Sequence, residues 1–81
     1  MSATLTPRER EIALYILVGL SNKEIARELF ITTKTVSNHL TDIYRKLGVR
    51  RRVSLAVYMW QTLSDQRLEL DNLLDNSFNH N

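Results

Sequence analysis

Two glycines and one proline are all that interrupt 81 residues, and each falls where a helix should start or stop. Thr6-Pro7-Arg8-Glu9 places a capping threonine before a proline at the first helical position and a glutamate at the third. That order satisfies orphan backbone donors from both directions, so it opens a helix. The helix should run to about Val18 and stop at Gly19. Ser21-Asn22-Lys23-Glu24 repeats the capping pattern for a short helix through about Leu29. Phe30-Ile31 forms a connector, Thr32 caps a third helix through Leu47, and Gly48 ends it. No glycine or proline follows Val49, so a fourth helix from about Arg51 can be long. No segment alternates at period two for long enough to make a strand. The expected fold class is all-α, with four helices.

A chain this short is one small domain, burying only about 60% of the surface its unfolded form exposes. It has no cysteine, which excludes both a disulfide framework and a thiolate metal site. The longest apolar run, Ile12 to Leu20, is far too short to span a bilayer. It also starts too late to read as a signal peptide, so a cytoplasmic protein is expected. Residues 1–60 carry ten Lys/Arg against five Asp/Glu, whereas residues 61–81 carry one Arg against four acids. A basic body with an acidic tail suits a polyanionic partner for the body, although solvated surface charge gives the same imbalance.

The third helix carries the most functional information. Val36, Leu40, Ile43 and Leu47 recur at spacings of four, three and four and must face the core. Lys34, Ser37, Asn38, Thr41 and Arg45 lie opposite, and the nearest acid, Asp42, sits on the flank. Asn, Ser and Thr can read base edges in a major groove, while Lys and Arg reach phosphates. A merely solvated face would usually mix Glu with Lys at i, i+4. Ala26 is small enough for close helix approach, and Ile25, Leu29, Ile31 and Val36 fit a helix-turn-helix grid. Phe30 stands where many such motifs have glycine, so the connector is expected to be built differently. A helical hairpin with no DNA role would show similar spacing.

Leu5-Thr6-Pro7-Arg8-Glu9-Arg10-Glu11-Ile12 and Gly19-Leu20-Ser21-Asn22-Lys23-Glu24-Ile25-Ala26 resemble the LuxR-type (NarL/FixJ) DNA-binding domain of bacterial transcription regulators. Thr35-Val36, His39 and Arg45-Lys46-Leu47-Gly48-Val49 continue the pattern, so the resemblance covers residue 5 to about 60. It implies a helix-turn-helix at the second and third helices, with the third in the major groove of double-stranded DNA. It also implies a fourth helix that contributes to a homodimer. Carried over by position, Ser37, Asn38 and Thr41 become base-facing candidates. Lys23, Lys34, Thr35, Arg45 and Lys46 become phosphate candidates. Ser37 departs from the family, many of whose members place a long cation there.

Arg50-Arg51-Arg52 sets cations at a helix N-terminus, where they oppose the macrodipole unless an anion is near. Arg50 and Arg51 are therefore expected at phosphates, and Arg52 in an internal pair with Glu9 or Glu11. Leu14, Leu17 and Val18 lie opposite Ile12 and Ile16 on the first helix. They imply either extra packing or a surface for a receiver or signal domain, a second protomer, or RNA polymerase.

Val53, Ala56, Trp60, Leu63, Arg67, Leu70 and Leu74 alternate by three and four, a coiled-coil period. Apart from Arg67 they form an expected dimer seam, on a division into a domain at 1–63 and a helical extension at 64–81. The asparagine-rich end, 76–81, is expected to fray. Ser64-Asp65 could instead end one helix and cap another. His39 reads as a packed residue, and with His80 the only other histidine no metal site is expected. No catalytic constellation, phosphate loop or cofactor signature stands out, so no enzyme is expected. Two rival readings stay open: a helical protein-interaction module using Leu14, Val18 and the seam, and a promoter reader of the sigma-factor kind.

Overall fold

The computed structural model describes the backbone of residues 4–78 and the side chains of residues 4–67. It contains helices α1 (Pro7–Leu17), α2 (Asn22–Leu29), α3 (Thr33–Leu47) and α4 (Arg52–Phe78), with no strand among the described residues. Both capping boxes close. The Glu9 N–H donates to Thr6 Oγ1 at 3.1 Å, and the Thr6 N–H donates to Glu9 Oε1 at 2.8 Å. Ser21 and Glu24 repeat this at 3.1 and 2.9 Å, and Thr32 Oγ1 accepts from the Thr35 N–H. Each box satisfies two backbone donors that water would otherwise have to serve.

Gly48 ends α3 in the left-handed conformation (φ 68°), with its N–H bonded to the Tyr44 carbonyl. A Cβ at Gly48 would meet no atom within 4 Å, so backbone conformation and not crowding favours glycine there. The connector after α2 corrects the sequence expectation. Phe30 itself takes the left-handed conformation (φ 56°, ψ 43°), as a glycine would. The Ile31 N–H bonds back to the Ala26 carbonyl, a Schellman-like closure made without glycine. Burial of Ile25, Ala26 and Val36 on either side holds this turn against the preference of its own residue. Phe30 is 94% exposed, so its ring contributes little packing. Phe30→Gly is expected to raise stability by about 0.5–1 kcal/mol, the left-handed penalty less glycine's greater unfolded-state entropy. A lower melting temperature by circular dichroism would show that the ring stabilises the fold.

The core is continuous across all four helices. Ile12, Ala13 and Ile16 of α1 meet Ile25 and Ala26 of α2, Val36, Leu40 and Ile43 of α3, and Leu55 and Met59 of α4. Helix α1 lies centrally, packed on both α3 and α4, while α2 packs on α3. Leu14 and Leu17 are half-buried against this core, whereas Val18 is exposed. Their wheel positions are thus absorbed largely by packing. At 1.5 Å per residue α4 is about 40 Å long and α1 about 16 Å. Helix α4 passes through Ser64-Asp65 without a break, so its second half runs on beyond the helix it packs against. No helix among the described residues is long and apolar enough to cross a membrane.

Candidate nucleic-acid interface

Packing of the Val36, Leu40 and Ile43 stripe fixes the rotation of α3 about its own axis. Lys34, Ser37, Asn38, Thr41 and Arg45 consequently all lie exposed on its far side. Arg45 forms an ion pair with Asp42 one turn back, which leaves Lys34 as the unneutralised cation of this stripe. The Thr41 hydroxyl donates to the Ser37 carbonyl at 3.1 Å. Thr35 is half-buried, and its hydroxyl shares a 2.8 Å hydrogen bond with that of Thr32 inside the helix cap. Lys23, in the first turn of α2, is exposed, as are Arg50 and Arg51 before α4. His39 is half-buried on the flank of α3.

Lys46 departs from its expected place at a phosphate. Its Nζ donates to Glu9 Oε1 at 2.7 Å, and its side chain is only 33% exposed. Glu9, 4% exposed, already accepts from the Thr6 N–H and needs a cation to offset its burial. The Lys46 ammonium, and after it the Thr6 N–H, hold the Glu9 carboxyl below its ordinary pKa against the opposing effect of burial. Lys46 therefore ties the C-terminal turn of α3 to the N-cap of α1.

The expected partner of Arg52 is corrected as well. Arg52 is structural as expected, but its partners are neutral acceptors and neither Glu9 nor Glu11: the Leu20 carbonyl at 2.5 Å and Asn22 Oδ1 at 2.6 Å. Asn22 in turn donates through Nδ2 to Ser37 Oγ at 3.5 Å, so the starts of α4 and α2 reach the outer face of α3. Asn22 is absent from the expected site residues, because in sequence it stands only inside a capping box. The signal, weak in sequence alone, is a polar side chain at the first position of α2 facing a helix that must pack across it.

The expected dimer stripe is only partly presented. Val53 (64%) and Trp60 (63%) are exposed, and Leu63 is less so at 39%. Ala56 is half-buried and turned toward the chain's own core. Val57, absent from the stripe, is 49% exposed between Val53 and Trp60. At 100° per residue Ala56 lies about 60° round the helix from Val53 and about 60° from the buried Met59, so that edge of the stripe falls toward the core. Leu70 and Leu74 lie outside the residues whose side chains are described.

Residues 3–59 match the family model described as "Bacterial regulatory proteins, luxR family". Similar proteins include the transcriptional regulatory protein LiaR of Bacillus subtilis, 54% identical over 68% of this chain and 26% of that protein. The CsgBAC operon transcriptional regulatory protein of Escherichia coli is 49% identical over 63% of the chain and 24% of that protein. The putative HTH-type transcriptional regulator Rv0890c of Mycobacterium tuberculosis is 50% identical over 64% of the chain but 6% of its own length. The chain thus spans at most about a quarter of these relatives. Its capped helix pair, the exposed polar face of α3 and the match over residues 3–59 agree: the chain belongs to the luxR family of bacterial regulatory proteins and is a helix-turn-helix DNA-binding domain of that family.

Proposed function

We propose that the chain is the operator-reading part of a bacterial transcription regulator, working as a dimer on double-stranded DNA in the cytoplasm with α3 in the major groove. The observation that carries this reading is the uncovered outer face of α3. It offers hydroxyl and amide groups at Ser37, Asn38 and Thr41, with cations toward its two ends. Such groups suit base edges, and the flanking cations suit phosphates. Lys23, Lys34, Arg45, Arg50 and Arg51 are the proposed phosphate contacts, with Thr35 supporting the helix cap beside them. Lys46 is proposed to serve the internal pair with Glu9 in place of a phosphate. Arg45 would exchange Asp42 for a phosphate, a step that exposed ion pairs make at little cost. Two copies joined along the outer face of α4 would read half-sites about 34–36 Å apart, one duplex turn.

Selection of binding sites from random duplexes, followed by titration across salt concentrations, tests the reading. Lys34→Ala is expected to weaken all duplexes alike and to lower the log–log salt slope by about 0.9, one phosphate contact. Asn38→Ala is expected instead to relax preference at one base pair, with a loss of about 1–2 kcal/mol confined to the selected site. Identical behaviour of the two variants on selected and random duplexes would reject this division of labour. Failure of the wild type to enrich any duplex would reject the reading itself.

A further inference from the structure

Three hydrogen bonds around Asn22 orient a hydroxyl on the outer face of α3. Arginine has donors only, so the Asn22 atom that both it and geometry allow opposite Arg52 Nη1 is the amide oxygen, at 2.6 Å. The same guanidinium is anchored by the Leu20 carbonyl at 2.5 Å, so it holds the amide in that sense and prevents its flip. The amide nitrogen is thereby turned toward Ser37 Oγ, 3.5 Å away. An amide nitrogen can only donate, so Ser37 Oγ must accept with a lone pair. Its own proton is thereby turned away from Asn22, and among the described residues the serine hydroxyl donates to no protein acceptor. One turn further on, Thr41 is in the opposite condition. Its proton is committed to the Ser37 carbonyl, so it presents lone pairs and a methyl group.

We infer that Asn22, locked by Arg52, is a specificity-determining residue that makes Ser37 a hydrogen-bond donor toward the groove. The base opposite Ser37 is then one whose edge offers acceptors, above all guanine or thymine and at N7 adenine, in preference to cytosine, which presents only its N4 amine. Asn22 acts through Ser37 and need not touch a base itself. The inference rests on the DNA-reading role proposed for α3 and adds to it a chemical polarity at one position. The 3.5 Å separation is long for an N–H···O hydrogen bond, and in the lower dielectric of a docked groove the same contact orients the hydroxyl more strongly.

Site selection with the 81-residue chain as wild type, Ser37→Ala, Asn22→Asp and Asn22→Ala tests the inference, with competition among the four base pairs at each selected position. The position relaxed by Ser37→Ala is the one Ser37 reads. There the wild type should favour guanine or thymine over cytosine by about 3- to 10-fold, the scale of one net hydrogen bond. Asn22→Asp keeps an acceptor for Arg52 but offers Ser37 only lone pairs. The serine proton then turns inward, and the ranking should reverse toward cytosine. Asn22→Ala should flatten the ranking, because the hydroxyl rotates freely. The added negative charge of Asp weakens every duplex, but ratios between bases are insensitive to it. The inference is overturned if Ser37→Ala relaxes no position, if the wild type favours cytosine there, or if both Asn22 variants keep the wild-type ranking. Each of those results leaves DNA binding intact, whereas failure to enrich any duplex would remove the DNA-reading role and this inference together.

Discussion

Glu9→Ala is expected to lower the unfolding free energy by about 2–4 kcal/mol, a large fraction of what a small domain possesses. The carboxylate performs two tasks at once. It accepts from the Thr6 N–H at 2.8 Å, completing the cap of α1, and from Lys46 Nζ at 2.7 Å, holding the end of α3. Its removal leaves a backbone donor and a largely buried ammonium without partners. The lower end of the range allows the ammonium to swing out, since 33% of the lysine side chain already meets solvent. Urea unfolding followed by circular dichroism should show a lower midpoint with an unchanged slope. Glu9→Gln, which keeps the cap but not the charge, should fall between wild type and alanine. Lys46→Ala should also destabilise, by leaving the buried carboxylate without its counter-ion and with only the Thr6 N–H as a partner. Combining it with Glu9→Ala should cost less than the two losses added together. Strict additivity would mean that the pair contributes nothing.

The same pair predicts an acid dependence. The folded-state pKa of Glu9 lies below its ordinary value of 4.5, chiefly because of Lys46. Between those two values the unfolded chain binds more protons, so stability rises with pH. The contribution of Glu9 is therefore complete above about 4.5 and fades as pH falls through the depressed folded value. Lys46→Ala removes the largest cause of the depression, so the variant should lose less stability over that acid interval than the wild type does.

The helix boundaries and core were legible because their determinants are local. Thr6 and Glu9, Ser21 and Glu24, or Thr32 and Thr35 settle a cap within three residues of chain. Spacing alone turned Val36, Leu40 and Ile43 inward, and with them the polar face outward. Side-chain partners across the fold were not legible in this way. At about 100° per residue, Lys46 sits only about 60° from Ile43, close to the inward stripe. Its long stem crosses to an acid 37 residues earlier in the chain. The internal role of Arg52 is legible in sequence, but its partners, the Leu20 carbonyl and Asn22, depend on how the start of α4 meets the start of α2. Phe30 shows the same limit on the backbone: the left-handed turn is imposed by the helices it joins, against the preference of its own residue.

Trp60→Ala is expected to weaken self-association by about 2–4 kcal/mol, roughly 30- to 1,000-fold in Kd, if the outer face of α4 is the proposed seam. Helix α4 is apolar on both sides. Leu55 and Met59 fill the core, while Val53, Val57 and Trp60 lie outward on the opposite face. A helix that is apolar all round requires burial on both sides, and the described residues supply cover for only one. Trp60 is the largest of the outward group, and a tryptophan at the centre of a small interface is the residue most often found to dominate its energy. Because it is exposed in the single chain, its truncation should scarcely change the unfolding midpoint measured below the dimer concentration range. Analytical ultracentrifugation over a dilution series should therefore separate the variant from wild type where thermal melting does not. Deleting residues 64–81 should weaken the dimer as well if the heptad pattern beyond Leu63 adds to the seam. On DNA, loss of the dimer should reduce affinity for a two-half-site duplex far more than for a single half-site, since only the former uses both copies. A wild-type chain that sediments as a monomer at every concentration would remove the proposed dimer, and a Trp60→Ala variant that associates as the wild type does would place the seam elsewhere.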